Sequence, residues 1–281
     1  MGTGPLTGGI VDDMKRKEKI RLDRLVVDSG LAATREKARR LVLAGEVLVN
    51  DVPVEKPGTL VDRESNLRLR KAPSPYVGRG GEKLEGALEA LKLDVRGFRA
   101  LDIGASTGGF SDCLLQRGAS EITALDVGKG QLDWKLRSDP RVKTVEGVNA
   151  RYLKSEDFPE KFDLITIDVS FISLSKILPA AAPLVKEQGR LLALVKPQFE
   201  LTRGDVEKGG IVRDPSKHWE AILKVVDVIE LCGLSVEAVT PSPITGLEGN
   251  REFFVLMRIG GPTGLALDAV QEKARDICGL E

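Results

Sequence analysis

The sequence predicts an α/β protein: a wound, largely parallel sheet with an antiparallel last strand, behind a small N-terminal α+β domain. Three observations carry this. From about residue 81, strand-like apolar runs alternate with helix-compatible stretches, the pattern of a parallel sheet covered on both faces. The connection between the last two runs is short, rich in Pro and Gly and without helical periodicity, so the final strand should run antiparallel. The charge is also divided unevenly. Lys15 to Lys83 carries 17 basic and 10 acidic residues, net +7, and because the whole chain has 42 of each, the remainder carries −7. A basic small part ahead of an acidic large part suggests a polyanion-binding module.

Composition sets the bounds. The 281 residues are 42% hydrophobic and 30% charged, as in a globular protein. No apolar run reaches the roughly 18–20 residues that cross a bilayer, and Met1 to Met14 has no charged end followed by an apolar stretch, so no signal peptide is evident and a cytoplasmic location is expected. Cys113, Cys232 and Cys278 stand far apart, which argues against a disulfide framework or a Cys-rich zinc site. His218 is the sole histidine, so no metal site is expected. His218 and Trp219 are read as helix surface, and the cysteines as ordinary buried thiols.

Residues 1–18 read as a flexible tail, with Met14 opening a more conventional Met-Lys-Arg-Lys start. A domain over 19–72 follows. Leu22, Leu25 and Val26 share one helical face, and Gly30 suits a helix end. Thr34 is a plausible N-cap for a second helix, with Ala38, Leu41 and Val42 inward and Gly45 closing it. Val47–Val54 reads as a hairpin with Asn50-Asp51 at its tip, and Leu67–Arg70 as a last strand. This arrangement displays cations at Arg21, Arg24, Arg35, Lys37, Arg39 and Arg40, which suits phosphate contacts along a folded RNA. The stretches Arg21–Leu25, Arg35–Arg39 and Gly45–Asn50 resemble the RNA-binding domain of ribosomal protein S4, which implies RNA binding here. Residues 73–80, with Pro73 and Pro75, are expected to form a stiff linker.

The large domain is expected over 81–260, followed by a C-terminal helix within 261–281. A helical stripe of Leu84, Ala87, Leu88 and Leu91 starts near Gly81. The strands are Ala100–Ile103, Ile122–Asp126, Val142–Val145, Leu164–Asp168, Leu191–Lys196, Val236–Thr240 and Phe253–Met257. Ligands of such sheets bind beyond the carboxyl ends of the parallel strands. Asp102, Asp126, Asp168 and Lys196 fall at those ends, and Glu252 starts the antiparallel strand at the same rim. The loop from Asp102 through Gly104, Ser106 and Gly108 to Phe110 lets backbone approach a ligand closely, yet it is neither a dinucleotide fingerprint nor a Walker motif. Asp102 would repel a pyrophosphate and attract an amino group. Asp126, 22 residues beyond Gly104, is placed for ribose hydroxyls. An amino acid joined to a nucleoside without phosphates, S-adenosylmethionine, fits this combination. Its expected contacts are Asp102, Gly104, Ser106, Gly108, Phe110, Asp126 and Asp168.

Lys83, Asp168, Lys196 and Glu252 are the catalytic candidates. Methyl transfer to a ribose 2′-hydroxyl needs two positioned partners and a more nucleophilic oxygen; a lysine favours the developing alkoxide, and a carboxylate accepts the proton or holds the lysine. Lys83 alone would more commonly solvate a helix, so its motif carries the assignment. Gly78–Leu84, Asp102–Phe110, Asp168–Leu174, Val195–Glu200 and Gly249–Phe253 resemble the TlyA family, ribosomal-RNA 2′-O-methyltransferases with an FtsJ-like catalytic domain, also labelled hemolysins. The resemblance runs from about Lys19 to Met257. It implies a Rossmann-like class I methyltransferase, a Lys-Asp-Lys-Glu tetrad on Lys83, Asp168, Lys196 and Glu252, and cytidines of ribosomal RNA, in the small or large subunit, as substrate. Thr107-Gly108-Gly109 departs from the Pro-Gly-Gly usual in FtsJ proteins. The alternatives are a pore-forming hemolysin, for which stable membrane insertion is not expected, and a non-catalytic RNA-binding ribosome assembly factor. A pseudouridine synthase is rejected, because the only Arg-Leu-Asp, Arg21–Asp23, lies inside the N-terminal domain.

Overall fold

A computed structural model of the chain describes residues 18–70, 74–207, 209–246, 249–260 and 267–280. Apart from Glu18, the tail expected over 1–18 lies outside the described residues. The chain divides into two compact units between Pro73 and Ser74.

The first unit contains β1 (Lys19–Arg21), α1 (Leu22–Asp28), α2 (Arg35–Leu43), β2 (Val47–Val49), β3 (Val52–Pro53), β4 (Leu60–Asp62) and β5 (Leu67–Leu69). Thr34 caps α2 by accepting from the Lys37 amide at 3.2 Å. At the hairpin tip, Asn50 and Asp51 have φ of 49° and 67°, the left-handed pair that matches strand twist in a two-residue turn. Leu22, Val26, Ala38, Val42 and Val47 are fully buried and form the small core. Truncating Leu22 to Ala there would cost about 2–5 kcal/mol. The β1–β4 pair was not anticipated, because three-residue strands are too short to show alternation.

The second unit contains α3 (Arg79–Ala90), β6 (Arg99–Ile103), α4 (Gly109–Gln116), β7 (Glu121–Asp126), α5 (Trp134–Arg137), β8 (Val142–Glu146), β9 (Phe162–Ile167), α6 (Leu178–Ala181), β10 (Val185–Val195), α7 (Pro197–Glu200), α8 (Pro215–Leu231), β11 (Leu234–Pro241), β12 (Phe253–Ile259) and α9 (Leu267–Cys278). The seven strands lie in the order β11-β12-β10-β9-β6-β7-β8. β12 is antiparallel, as expected, and it inserts between β10 and β11 rather than adding at the edge. Alternation sorts the side chains of β6. Leu101 and Ile103 join the core under α8 and α9, while Ala100 joins the opposite core under α3 and α4.

Several boundaries move. β10 begins at Val185, ahead of the expected Leu191, because the polar stretch Lys186–Arg190 hides it and the register shifts there. α3 begins at Arg79, inside the span expected to be linker. The Tyr76 phenol donates to Glu85 at 2.8 Å and the Val77 amide to Asp112 at 2.9 Å, so Tyr76 and Val77 belong to the second unit. α9, expected to follow the large domain, packs into it, since Val270, Ala274 and Cys278 are buried in its core. His218 is not helix surface. It is buried, its Nε2 meets the Val212 carbonyl at 2.8 Å and its ring lies 5.6 Å from Phe253. Cys113 and Cys278 are buried and Cys232 is half-buried. Among the described residues no helix is long and apolar enough to cross a membrane.

Candidate active site

The sheet register gathers the four catalytic candidates. Asp168 immediately follows β9 and Lys196 immediately follows β10, and these strands are parallel neighbours. β10 and β12 pair Val195 with Phe253, so one step further sets Lys196 opposite Glu252. Lys83 reaches the rim from the first turns of α3. Two ion pairs result: Lys196 Nζ lies 2.6 Å from Asp168 Oδ1, and Lys83 Nζ lies 2.5 Å from Glu252 Oε2. Both lysines and Glu252 are buried. A buried charge is tolerable only when paired and hydrogen-bonded. Lys196 also donates to Ser170 Oγ at 3.0 Å, and its ammonium sits 5.9 Å from the centre of the Phe199 ring. Gly246 leaves room for the second pair, since a Cβ there would lie 2.6 Å from Glu252 Oε1.

α3 is held firmly. Glu85 accepts from the Tyr76 phenol and from Arg117 Nε at 2.9 Å. The Arg117 guanidinium holds the Glu85 carboxyl below its usual range, and burial pushes the Tyr76 phenol and the Cys113 thiol up.

A cavity of about 480 Å³ opens beside Asp168, lined by Gly104, Ser106 and Asp126 and by the apolar side chains of Leu125, Val148 and Ile177 among others. Gly104 has φ +85°, and any Cβ on it would collide with the Asp168 carbonyl oxygen. Ser106 is held at φ 49°. Its amide donates to Asp126 Oδ2 at 2.8 Å, while the Gly128 amide donates to Oδ1 at 2.7 Å. The loop and the carboxylate therefore fix one another, and each oxygen keeps lone-pair capacity for a further donor.

Of the seven residues expected around the cofactor, Gly104, Ser106, Asp126 and Asp168 line this cavity. The other three do not. Asp102 is wholly buried on the α4 face of β6, where alternation directs it, and accepts from Ser111 Oγ at 2.7 Å and Thr166 Oγ1 at 3.0 Å. Burial pushes its carboxyl up to about 6. Gly108 is the left-handed N-cap of α4, where a Cβ would collide with Leu136. Phe110 is buried, its ring 6.0 Å from that of Phe254. Sequence reasoning missed Ser170 and Phe199 beside Lys196, and also Val148 and Asn149 in the cavity wall. The rim rule applied to the third strand, which ends just before Val148, would have found the last two.

In the first unit, Arg21, Arg35, Arg39 and Arg40 line one shallow cleft with Asp23. The buried Asp23 carboxylate accepts from Arg21 Nε and Nη2, both at 3.1 Å, and from Arg35 Nε at 3.1 Å. The Arg21 guanidinium holds that carboxyl below its usual range. Arg24 pairs instead with Asp28 at 3.9 Å, and Lys37 is exposed outside the cleft.

Known proteins share this layout. Residues 76–259 match the FtsJ-like methyltransferase family and residues 20–67 match the S4 domain. The 16S/23S rRNA (cytidine-2′-O)-methyltransferase TlyA of Mycobacterium tuberculosis is 40% identical over 255 residues, 90% of this chain and 95% of its own. Hemolysin A of Brachyspira hyodysenteriae is 42% identical over 238 residues, 83% of this chain and 98% of its own. A solved chain from Streptococcus thermophilus that carries the hemolysin label is 42% identical, with a TM-score of 0.73 over 93% of this chain and 96% of that one. With a methyltransferase match spanning most of its length and an S4 match before it, the chain belongs to the TlyA family of FtsJ-like methyltransferases.

Proposed function

We propose that this chain transfers a methyl group from S-adenosylmethionine to the 2′-hydroxyl of a cytidine ribose in the RNA of the small or large ribosomal subunit, in the cytoplasm. One observation carries the proposal: the buried Lys196 ammonium, tied to Asp168 and Ser170, stands at the lip of a cavity of nucleoside size. The name of the Mycobacterium tuberculosis relative supports the choice of cytidine and of ribosomal RNA.

The cavity suits the donor. Its apolar wall at Leu125, Val148 and Ile177 fits a purine face, and the fixed Asp126 carboxylate fits two ribose hydroxyls. Gly104 lets the loop pack directly against the Asp168 carbonyl, so that both residues line the cavity. Asp102 acts from behind, fastening β6 to α4 and β9 through Ser111 and Thr166. When bound, the donor supplies a methyl on a positively charged sulfur.

The remaining work falls to the chain's own side chains. As the oxygen–methyl bond forms and the sulfur–methyl bond breaks, Lys196 donates to the sugar oxygen on which negative charge grows, and the hydroxyl's proton leaves to a carboxylate of the rim, in a site where burial strengthens these interactions. Asp168 and Ser170 keep Lys196 aimed. Lys83, held by Glu252, supplies a second cation at the same rim. The Arg21, Arg35, Arg39 and Arg40 cleft binds RNA phosphates.

The test is to incubate the protein with donor labelled on the methyl and separated ribosomal subunits, then map the label. Label on a cytidine 2′-oxygen is expected. Label on a base, or none in either RNA, would overturn the proposal.

A further inference from the structure

We infer that Glu200 is a positioning residue for methyl transfer: its carboxylate fastens the loop after β9 to the turn after β10 and so sets where Asp168 and Ser170 meet Lys196. The inference rests on the function proposed above and extends it to a residue that does not line the cavity.

β9 and β10 run parallel and pair Ile167 with Ala193, so the segments that leave them travel side by side. Three rungs join those segments. The first is Lys196 with Asp168 at 2.6 Å and Ser170 at 3.0 Å. The second is the ring pair Phe171 and Phe199, with centroids 5.2 Å apart. The third is Glu200. Ser173 Oγ donates to its Oε2 at 2.6 Å, and the Leu174 amide donates to its Oε1 at 2.9 Å.

The first two rungs constrain the loop less tightly than the third. An ammonium has three rotatable donors and no fixed fork, so it tolerates many carboxylate positions. Phe171 is 91% exposed and sits at φ 63°, a conformation that a bulky side chain keeps only when its surroundings impose it. The third rung differs because it includes a backbone amide and is charge-assisted at both ends. It secures the loop just beyond the strained Phe171. Glu200 pays for burial, which raises its pKa, with bonds to a hydroxyl and an amide; the cation acting on it, Lys224 of α8, is itself bonded to Glu220 at 2.9 Å. Among the described residues Glu200 forms no ion pair, so its carboxylate serves the loop.

The geometry also predicts which substitute works. In Glu200→Gln the amide oxygen still accepts from Leu174. The new NH₂ donates to Ser173 Oγ, whose hydrogen turns to Ser175 Oγ, already 2.9 Å away. Glu200→Ala keeps neither bond.

The experiment compares the full-length parent with E200A and E200Q in four measurements: hydrogen exchange of the 168–174 segment, S-adenosylmethionine affinity, melting temperature and single-turnover methyl transfer to ribosomal subunits. In E200A, exchange at Leu174 and its neighbours should accelerate about tenfold or more. Transfer should slow by about 10- to 100-fold, as misplacement by about 1 Å does, while donor affinity stays within about threefold. E200Q should restore both exchange and transfer to within about threefold. Unchanged exchange at 168–174 in E200A overturns the inference, as does transfer within twofold of the parent. An equal loss in both variants, tracking the melting temperature, also overturns it. Exchange is read without turnover, so a parent that transfers no methyl refutes the function while Glu200 is still judged on the loop.

Discussion

The two units use the same residue types under opposite conditions. At the rim of the sheet each lysine is buried and has its own carboxylate, Lys83 with Glu252 and Lys196 with Asp168. In the first unit the described cations are exposed, and two of them share one buried acid, Asp23. Buried one-to-one pairing aims a charge at a point, whereas exposed cations around one acid present a field to a phosphate backbone. Two buried acids, Asp102 and Asp23, carry the same contrast. Asp102 is surrounded by hydroxyls and is pushed up to about 6, while Asp23 lies between guanidiniums and is pulled down. At Asp102 burial outweighs the bonds from its hydroxyl partners, whereas at Asp23 the bond from the Arg21 guanidinium outweighs burial.

The contrast can be broken at its strongest point first. Glu252→Ala leaves Lys83 buried without its partner, and denaturant unfolding should show a loss of about 3–5 kcal/mol; a loss below about 1 kcal/mol would mean the pair is not buried as described. Next, Lys196→Ala should slow methyl transfer about 100- to 1000-fold, the cost of removing one donor to a developing oxyanion, with calorimetric donor affinity retained. Asp102→Asn should then separate from the parent with pH. The folded carboxyl titrates near 6 against an ordinary 3.8, so the folded state holds the extra proton between these values. The parent therefore loses about 3 kcal/mol relative to the variant as pH rises from about 4 to about 6, and the difference is flat above. Asp23 has the opposite sign. Its stabilisation is full above the ordinary carboxylate range and fades as pH falls through it, so Asp23→Asn should approach the parent only in acid. The smallest effect is on the exposed cations. Arg35→Ala should weaken RNA binding and reduce the slope of log affinity against log salt by about 1, and an unchanged slope would remove Arg35 from the interface.

Much of the layout was legible in the sequence because it follows from period and topology. Apolar runs marked all seven strands of the large sheet to within a few residues at most ends. The strand-end rule led to Asp126, Asp168 and Lys196, and the loop glycines led to Gly104. The failures share a cause: one-dimensional position does not say which face a residue takes. Asp102 lies in the right strand, but alternation turns it toward α4. Phe110 lies in the right motif, but the first turn of α4 buries it. His218 looked like surface because a polar residue near a helix start has no visible partner, and Val212 supplies one only after folding. The insertion of β12 between β10 and β11, which sets Lys196 opposite Glu252, depends on sheet order, and no local pattern records that.

In the proposed reaction a sugar oxygen receives the methyl group at the rim that carries the two lysine–carboxylate pairs. It is tested most directly on ribosomal RNA rebuilt with a single 2′-deoxynucleotide at the mapped cytidine and assembled into subunits. This RNA should bind fully and incorporate no label. Continued incorporation at the parent rate would contradict it.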